Sequence, residues 1–241
     1  KNVESLFFNL SNFTVWHDKC AMKVGTDGVL LGAWTSVESA HRILDIGTGT
    51  GLVALMLAQR SLPDANIVAL EIDEAAVGQA RENIIRSPWK ERVEVVQADF
   101  RKYRSSDKFD VIVSNPPYFV DSLECPDRQR AAARHNDSLT YEDLLEGVSG
   151  LLTENGFFTV VIPADVAERV KKIASIKKLY AVRQLNVITK PGGIPKRVLI
   201  TFSFSNQECI VEELLTELAR HQYSEEYMTL TRGLLFEHVK G

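Results

Sequence analysis

Asn115-Pro116-Pro117-Tyr118 carries the residue types best suited to chemistry in this chain. Two successive prolines stiffen the backbone and remove two N–H donors, so the carbonyls around them act purely as acceptors. Asn115 adds a side-chain carbonyl. An amino group on a planar ring or an amide has two N–H bonds to place. One suits the Asn115 side chain and the other the Pro116 carbonyl. With both acceptors out of the plane, a pyramidal nitrogen is favoured and its lone pair is aimed at an electrophile. This is catalysis by position and preorganised dipoles, with no strong base required. Tyr118 offers a flat face on which a base can stack. Asn115, Pro116, Pro117 and Tyr118 are therefore the catalytic candidates. The reaction they suit is attack by an exocyclic or amide nitrogen.

A glycine-rich turn upstream supplies a place for a cofactor. Residues Leu44 to Gly51 read Leu-Asp-Ile-Gly-Thr-Gly-Thr-Gly. Glycines after a strand let the backbone turn tightly and approach a ligand without Cβ clashes. The dinucleotide fingerprint GxGxxG would need its third glycine at position 52, which is Leu52. The GxGxG spacing preceded by Asp45 instead resembles the turn of S-adenosylmethionine (AdoMet) methyltransferases. Glu71, at the next strand end, can accept two hydrogen bonds from ribose hydroxyls. Ile72 can pack on an adenine face. Asp99 and Phe100, after the third strand, can offer an acceptor to the adenine amine and an apolar wall. The cofactor candidates are thus Asp45, Gly47, Thr48, Gly49, Gly51, Glu71, Ile72, Asp99 and Phe100. Asn115 borders both cofactor and target. Lys23 and Gly25 belong to a glycine-containing segment, Lys23–Gly28, expected to close over the site.

These residues need a frame, and the middle of the chain supplies one. Apolar runs alternate with helical patterns, the signature of a parallel sheet with crossover helices. Strands are expected at Arg42–Ile46, Ile67–Ile72, Val93–Gln97, Phe109–Ser114, Phe157–Ile162, Tyr180–Ile188 and Arg197–Phe204. Helices are expected from Leu52, over Glu74–Arg86, Leu139–Leu152 and Asp165–Ser175, and over Ser224–Phe236. The loop Thr189–Lys196 is too short for a helical crossover, so the last two strands should pair antiparallel. Ile210–Leu218 fits helix or strand.

Composition narrows the class. The 241 residues are 45% hydrophobic and 25% charged, an ordinary globular balance. Cys20, Cys125 and Cys209 lie far apart with no CxxC pair, so no metal site is expected, and a reducing cytoplasm is. No apolar run approaches the ~20 residues of a membrane span. The net charge of −4 conceals an asymmetry. From Val166 to Ile200, nine bases face only Glu168, whereas Asn206–Glu226 carries six acids and Arg220. A basic block on an acidic protein suggests a polyanion face. Arg128 and Arg134 in the charged Phe119–Asp137 segment, with Lys190, Lys196 and Arg197 around a Pro- and Gly-rich loop, are the candidate phosphate contacts. They suit RNA beside a flipped-out base.

The chain also resembles the bacterial tRNA1(Val) (adenine-N6)-methyltransferase family, class I AdoMet-dependent enzymes with an NPPY corner. The resemblance lies in Phe13–Trp34, Ser87-Pro88-Trp89, Arg134-His135, Pro195-Lys196-Arg197 and Tyr223–Phe236, and so spans nearly the whole chain. It implies an α/β, Rossmann-like fold with a mostly parallel seven-stranded sheet, an antiparallel last hairpin and helices on both faces. One methyltransferase domain is expected, as a monomer. Residues 1–41 would be an arm over the cofactor site, 42–205 the core and 206–241 an extension. The implied reaction is N6-methylation of the adenosine 3′ of a valine anticodon, with AdoMet converted to S-adenosylhomocysteine (AdoHcy). By motif, Asp45, Gly47, Gly49, Gly51, Glu71 and Asp99 would hold the cofactor, and Asn115 and Tyr118 the base. Leu234-Leu235-Phe236 departs from the aromatic-rich ending more usual there. Three other readings fit the residues: a protein glutamine N5-methyltransferase, another rRNA or DNA amino-methyltransferase, and a noncatalytic RNA-binding module.

Overall fold

The computed structural model describes residues 7–10, 12–16, 25–117, 139–220 and 222–234. Lys23, Tyr118, Arg128 and Arg134 lie outside them, so the expectations placed on those four side chains are not addressed by the structure.

An eight-stranded sheet organises the molecule. Its first five strands are β3 (Arg42–Ile46), β4 (Asn66–Glu71), β5 (Val93–Gln97), β6 (Phe109–Ser114) and β7 (Leu152–Pro163), all in parallel register. β8 (Tyr180–Ile188) and β9 (Arg197–Ser203) pair antiparallel, and β9 lies antiparallel to β7. With a last strand, β10 (Ile210–Leu215), the order is β10-β8-β9-β7-β6-β3-β4-β5. A short hairpin, β1 (Phe7–Asn9) with β2 (Thr14–Trp16), precedes the sheet.

The seven-strand expectation is corrected by one strand. β10 (Ile210–Leu215) pairs parallel with β8 at the sheet edge. Its sequence, Ile-Val-Glu-Glu-Leu-Leu, fits either period over so short a run. A second small hairpin follows, β11 (Glu217–Ala219) with β12 (Gln222–Tyr223). The tail helix is also shorter than expected, Glu225–Leu230, capped by the Ser224 side chain accepting from Tyr227 N–H.

The other helices are α1 (Thr26–Trp34), α2 (Leu52–Arg60), α3 (Glu74–Ile85), α4 (Tyr141–Leu151) and α5 (Ala167–Ile176), with the tail helix as α6. α4 starts with a capping box between Thr140 and Asp143. β7 follows it directly, and Glu154-Asn155-Gly156, which reads as a helix stop, is absorbed in a register shift opposite Phe109–Val111. The basic helix begins with a 3-10 turn at Ala164–Val166.

β3 and β6 sit centrally and are apolar on both faces, as buried parallel strands must be. Ile43, Val111 and Val113 join α1, α2 and α3 in one core. Leu44, Ile112 and Phe158 join α4 and α5 in the other. Helices therefore cover both faces. The chain runs outward from β3 through β4 to β5, then returns to β6 on the other side of β3. The carboxyl ends of β3 and β6 thus form a topological switch point, where open α/β sheets leave a crevice for ligands.

Two arginines missed in the sequence reading hold helix ends. Arg60 donates to the carbonyls of Gly32 (2.6 Å) and Thr35 (2.8 Å) at the end of α1. Arg92 donates to Leu62 and Ala65 carbonyls, each at 3.0 Å, beyond α2. Arg92 also donates to the Ala58 carbonyl in the last turn of α2, so each arginine satisfies a carbonyl that a helix end leaves unpaired.

Candidate active site

The glycine turn lies at this switch point. Gly47, Gly49 and Gly51 have φ of +71°, +55° and +85°. An L side chain is strained in that region, so all three positions call for glycine. A Cβ built on Gly47 or Gly49 would meet nothing within 4 Å. The turn therefore presents bare backbone to open space, and Gly51 leads straight into α2.

Carboxylates surround the turn. Glu71, ending β4, accepts from Gly49 N–H at 3.0 Å through Oε2 and from Asp73 N–H at 3.3 Å through Oε1. Each oxygen keeps lone-pair capacity for a hydroxyl. Asp45 is 2% exposed and accepts from Thr48 Oγ1 at 2.7 Å. Burial pushes its carboxyl up to about 7; the hydroxyl of Thr48 opposes this, and the nearby Glu71 charge adds to it. A cationic group at this site would favour the ionised form.

Asn115 stands beside the turn because β6 pairs with β3. Ser114 and Ile46 are register partners, and Ser114 Oγ donates to the Ile46 carbonyl at 3.0 Å. The next residues are Asn115 and Gly47. A Cβ on Gly28 of α1 would fall 3.8 Å from Asn115 Nδ2 and 3.3 Å from Leu52 Cδ2. So the first turn of α1 walls the same space. Gly25, just ahead of that turn, is exposed. Pro116 is buried and Pro117 exposed. Ile72 is 50% exposed beyond Glu71.

At the third strand end Asp99 has a partner within the chain. Arg101 grips the Asp99 carboxylate with Nε (3.0 Å) and Nη2 (2.8 Å), and its N–H adds a third donor. Those hydrogen bonds hold the Asp99 carboxyl below the usual carboxylate range. The Phe100 ring is 6% exposed and seated on Gly147 of α4, where a Cβ would fall 2.4 Å from Cε1. Its ring belongs to the core, which leaves Ile72 as the accessible apolar surface.

Sequence reasoning also missed Asn83. Its amide joins the glycine turn to β2, although it sits on the apolar stripe of Val77, Ala80 and Ile84. An amide on that stripe is the available signal.

Five of the nine bases in the basic block are neutralised locally. Arg169 pairs with Glu142, Lys171 with Glu168, Lys177 with Glu146, Arg183 with Glu212 and Arg197 with Asp27. Among the described residues, Lys172, Lys178, Lys190 and Lys196 form no ion pair. Lys190 and Lys196 are exposed at the two ends of their loop. Among the described residues, no cluster of three or more His, Cys, Asp or Glu side chains could hold a metal, and no helix is long and apolar enough to cross a membrane.

A doubly covered, mostly parallel sheet, the antiparallel β8–β9 pair and a bare glycine turn at the switch point define a class I methyltransferase. Structural neighbours agree on the fold. A predicted O-methyltransferase from Agrobacterium tumefaciens superimposes with a TM-score of 0.67 at 19% identity, covering 86% of this chain and 96% of its own. A ribosomal protein L11 methylase from Lactobacillus delbrueckii gives a TM-score of 0.52 at 15% identity, covering 73% and 76%. The methyltransferase small domain family matches residues 22–171.

The chain belongs to the tRNA1(Val) (adenine(37)-N6)-methyltransferase family. A protein of that name from Bacteroides thetaiotaomicron is 78% identical over 97% of this chain and 98% of its own. Another from Bacteroides fragilis is 66% identical over 94% and 96%, and one from Aeromonas hydrophila 46% over 93% and 94%.

Proposed function

We propose that this protein transfers a methyl group from AdoMet to N6 of adenosine 37 in tRNA1(Val), in the cytoplasm where tRNA is matured. The observation carrying this reading is the position of Asn115 and Pro116 beside the bare glycine turn, at the junction of β3 and β6. The names of relatives 46% to 78% identical to this chain supply the substrate.

Each residue then has a task. Gly47, Thr48, Gly49 and Gly51 bring backbone against the amino-acid end of the cofactor. Glu71 holds the ribose hydroxyls, and Ile72 covers the adenine. Asp45 lies buried beside the turn and takes its ionised form when the cation of the cofactor is bound. AdoMet, when bound, supplies an electrophilic methyl on a sulfonium. The chain's part is to present the nucleophile. Asn115 Oδ1 and the Pro116 carbonyl accept the two N–H bonds of the adenine amine, so its lone pair faces the methyl. The same two dipoles stabilise the positive charge that grows on nitrogen as the bond forms. The surplus proton then leaves along one of these hydrogen bonds to water, and no ionised base is needed. Tyr118 stacks on the flipped base. Lys190 and Lys196, with Arg128 and Arg134, meet the phosphates around it.

The test is direct. Purified protein is given labelled AdoMet and tRNA, the RNA is digested, and the nucleoside is identified by mass spectrometry. N6-methyladenosine at position 37 is the expected product. Label in a glutamine-containing peptide, or on ribose or guanine, overturns the proposal.

A further inference from the structure

Asn83 is a side-chain amide 1% exposed, on a helix that carries none of the candidate residues. Its Nδ2 donates to the Thr50 carbonyl at 2.8 Å, in the middle of the glycine turn. The same Nδ2 donates to the Trp16 carbonyl at 2.8 Å, and Oδ1 accepts from Trp16 N–H at 2.8 Å. The amide therefore pairs with Trp16 as a neighbouring strand would, and spends its remaining donor on the turn. Its surroundings fix it. A Cβ on Gly51 would lie 3.6 Å from Ala80 Cβ and 3.7 Å from Ile84 Cδ1, so α3 packs directly on the turn. Phe13 lies edge-on against Trp89 at 5.2 Å, and Arg86 lies over the Trp16 ring at 5.5 Å, docking the hairpin against the segment that ends this helix.

Thr50 sits between two glycines of positive φ, the least self-determined stretch of the backbone. A peptide there can rotate, and each rotation moves the N–H and carbonyl groups that line the cofactor space. Asn83 holds one such peptide through its carbonyl. It does so with the amide that anchors β2, so the arm and the turn are fixed together.

We propose that Asn83 is a positioning residue for the cofactor site, setting the Thr50 peptide and coupling it to the N-terminal hairpin. The proposal rests on the reading of the glycine turn as the AdoMet site. Asn83 touches neither cofactor nor substrate. It acts by preorganising backbone, whose loss is felt in binding before it is felt in chemistry.

The test compares Asn83→Asp with wild type and with Gly49→Val, reading AdoHcy affinity by calorimetry, steady-state kinetics and thermal stability. Asn83→Asp keeps the acceptor for Trp16 N–H but turns oxygen toward two carbonyls. At about pH 8 the dissociation constant for AdoHcy should rise tenfold or more, about the effect of losing a buried hydrogen bond and facing acceptor with acceptor. KM for AdoMet should rise with it, while kcat at saturation changes less than about threefold. At about pH 5.5 the protonated carboxyl donates again, so the gap to wild type should narrow. In the wild type, AdoHcy should also slow hydrogen exchange of Trp16 N–H, a readout that needs no variant to fold.

An unchanged AdoHcy affinity in Asn83→Asp, with Gly49→Val unable to bind, overturns the positioning role and leaves the site reading intact. Unchanged affinity in both overturns the site reading and this proposal together. Affinity, kcat and stability falling in step without recovery at low pH assigns Asn83 to general scaffolding and also overturns it. Should Asn83→Asp not fold, Asn83→Ser is subject to the same comparison, and Trp16 exchange indifferent to AdoHcy decides against the coupling.

Discussion

Arg197 Nε lies 3.1 Å from Asp27 Oδ2, joining residues 170 positions apart in the chain. The pair ties the start of β9 to the first turn of α1, the turn whose Gly28 faces Asn115. Arg197 therefore braces a wall of the candidate site, and the cations left to meet phosphate on that loop are Lys190 and Lys196. Lys190→Ala with Lys196→Ala should weaken tRNA binding and lower the salt slope by roughly 0.7–0.9 for each phosphate no longer neutralised. Arg197→Ala should instead act through Asp27. A double-mutant cycle on the two should give a coupling of about 0.5–1 kcal/mol in stability, since both are partly exposed. Filter binding across salt concentrations and thermal melts separate the two roles. Equal salt slopes for wild type and the double lysine variant would remove the loop from the RNA interface.

Asp45 makes cofactor affinity depend on pH. Its carboxyl is raised to about 7, so the free protein carries a proton there that the ammonium and sulfonium of AdoMet disfavour. Binding should release that proton, and affinity should climb from about pH 6 to about pH 8, then level off. The sign for stability is opposite. The folded state holds a proton that the unfolded chain has lost, so this group's contribution falls as pH rises from about 4 to about 7. Asp45→Asn should abolish the pH-dependence of AdoHcy affinity while raising the melting temperature of the ligand-free protein at alkaline pH. Calorimetry in two buffers of different ionisation enthalpy reads the proton directly. No proton release in the wild type would place the ligand's positive charge elsewhere.

Lys178 is a non-glycine residue at φ +59°, just past the end of α5. Leu179 N–H reaches back to the Ala174 carbonyl at 2.9 Å and Lys178 N–H to Ser175 at 3.0 Å, closing the helix as a left-handed cap. Glycine is the residue suited to that conformation. Lys178→Gly should stabilise the fold by up to about 1 kcal/mol, the strain relieved less the entropy glycine adds to the unfolded chain. Chemical denaturation checks it. A loss of stability would mean that the lysine side chain contributes more than its backbone costs.

Legibility in the sequence followed the range of the interactions. β5, β6 and β8 were readable to the residue, because apolar residues cluster in or alternate along each of them. The grouping of Gly49, Glu71 and Asn115 was readable too, since strand ends in a parallel sheet share one edge. β10 was not, because two glutamates between apolar pairs fit either period. The start of β7 was hidden, since Thr-Glu-Asn-Gly looks like a helix stop yet forms a register shift inside a strand. The packing of the Phe100 ring on Gly147 was not readable, because the two residues meet only through the docking of α4. The basic block looked like one continuous polyanion face, but four of its five ion-pair partners, Asp27, Glu142, Glu146 and Glu212, come from outside it.

The sharpest test of the chemistry falls on Asn115. Its place is set by Ser114, whose hydroxyl fastens β6 to the Ile46 carbonyl, and by Gly28, which leaves space beside its amide. If Asn115 Oδ1 accepts one N–H of the target amine, Asn115→Ala should lower kcat by about 100-fold or more, the scale of losing one preorganised dipole. AdoHcy affinity should change far less. Asn115→Asp keeps an acceptor in the same place and should retain more activity than Asn115→Ala. Glu71→Ala should show the opposite split, weakening AdoHcy binding by roughly 1–3 kcal/mol while leaving saturated turnover closer to wild type. Single-turnover methylation of tRNA with saturating AdoMet separates these effects. Equal rates for Asn115→Asp, Asn115→Ala and wild type would show that the nucleophile is held elsewhere. A Glu71→Ala variant with normal affinity would remove the ribose contact from β4.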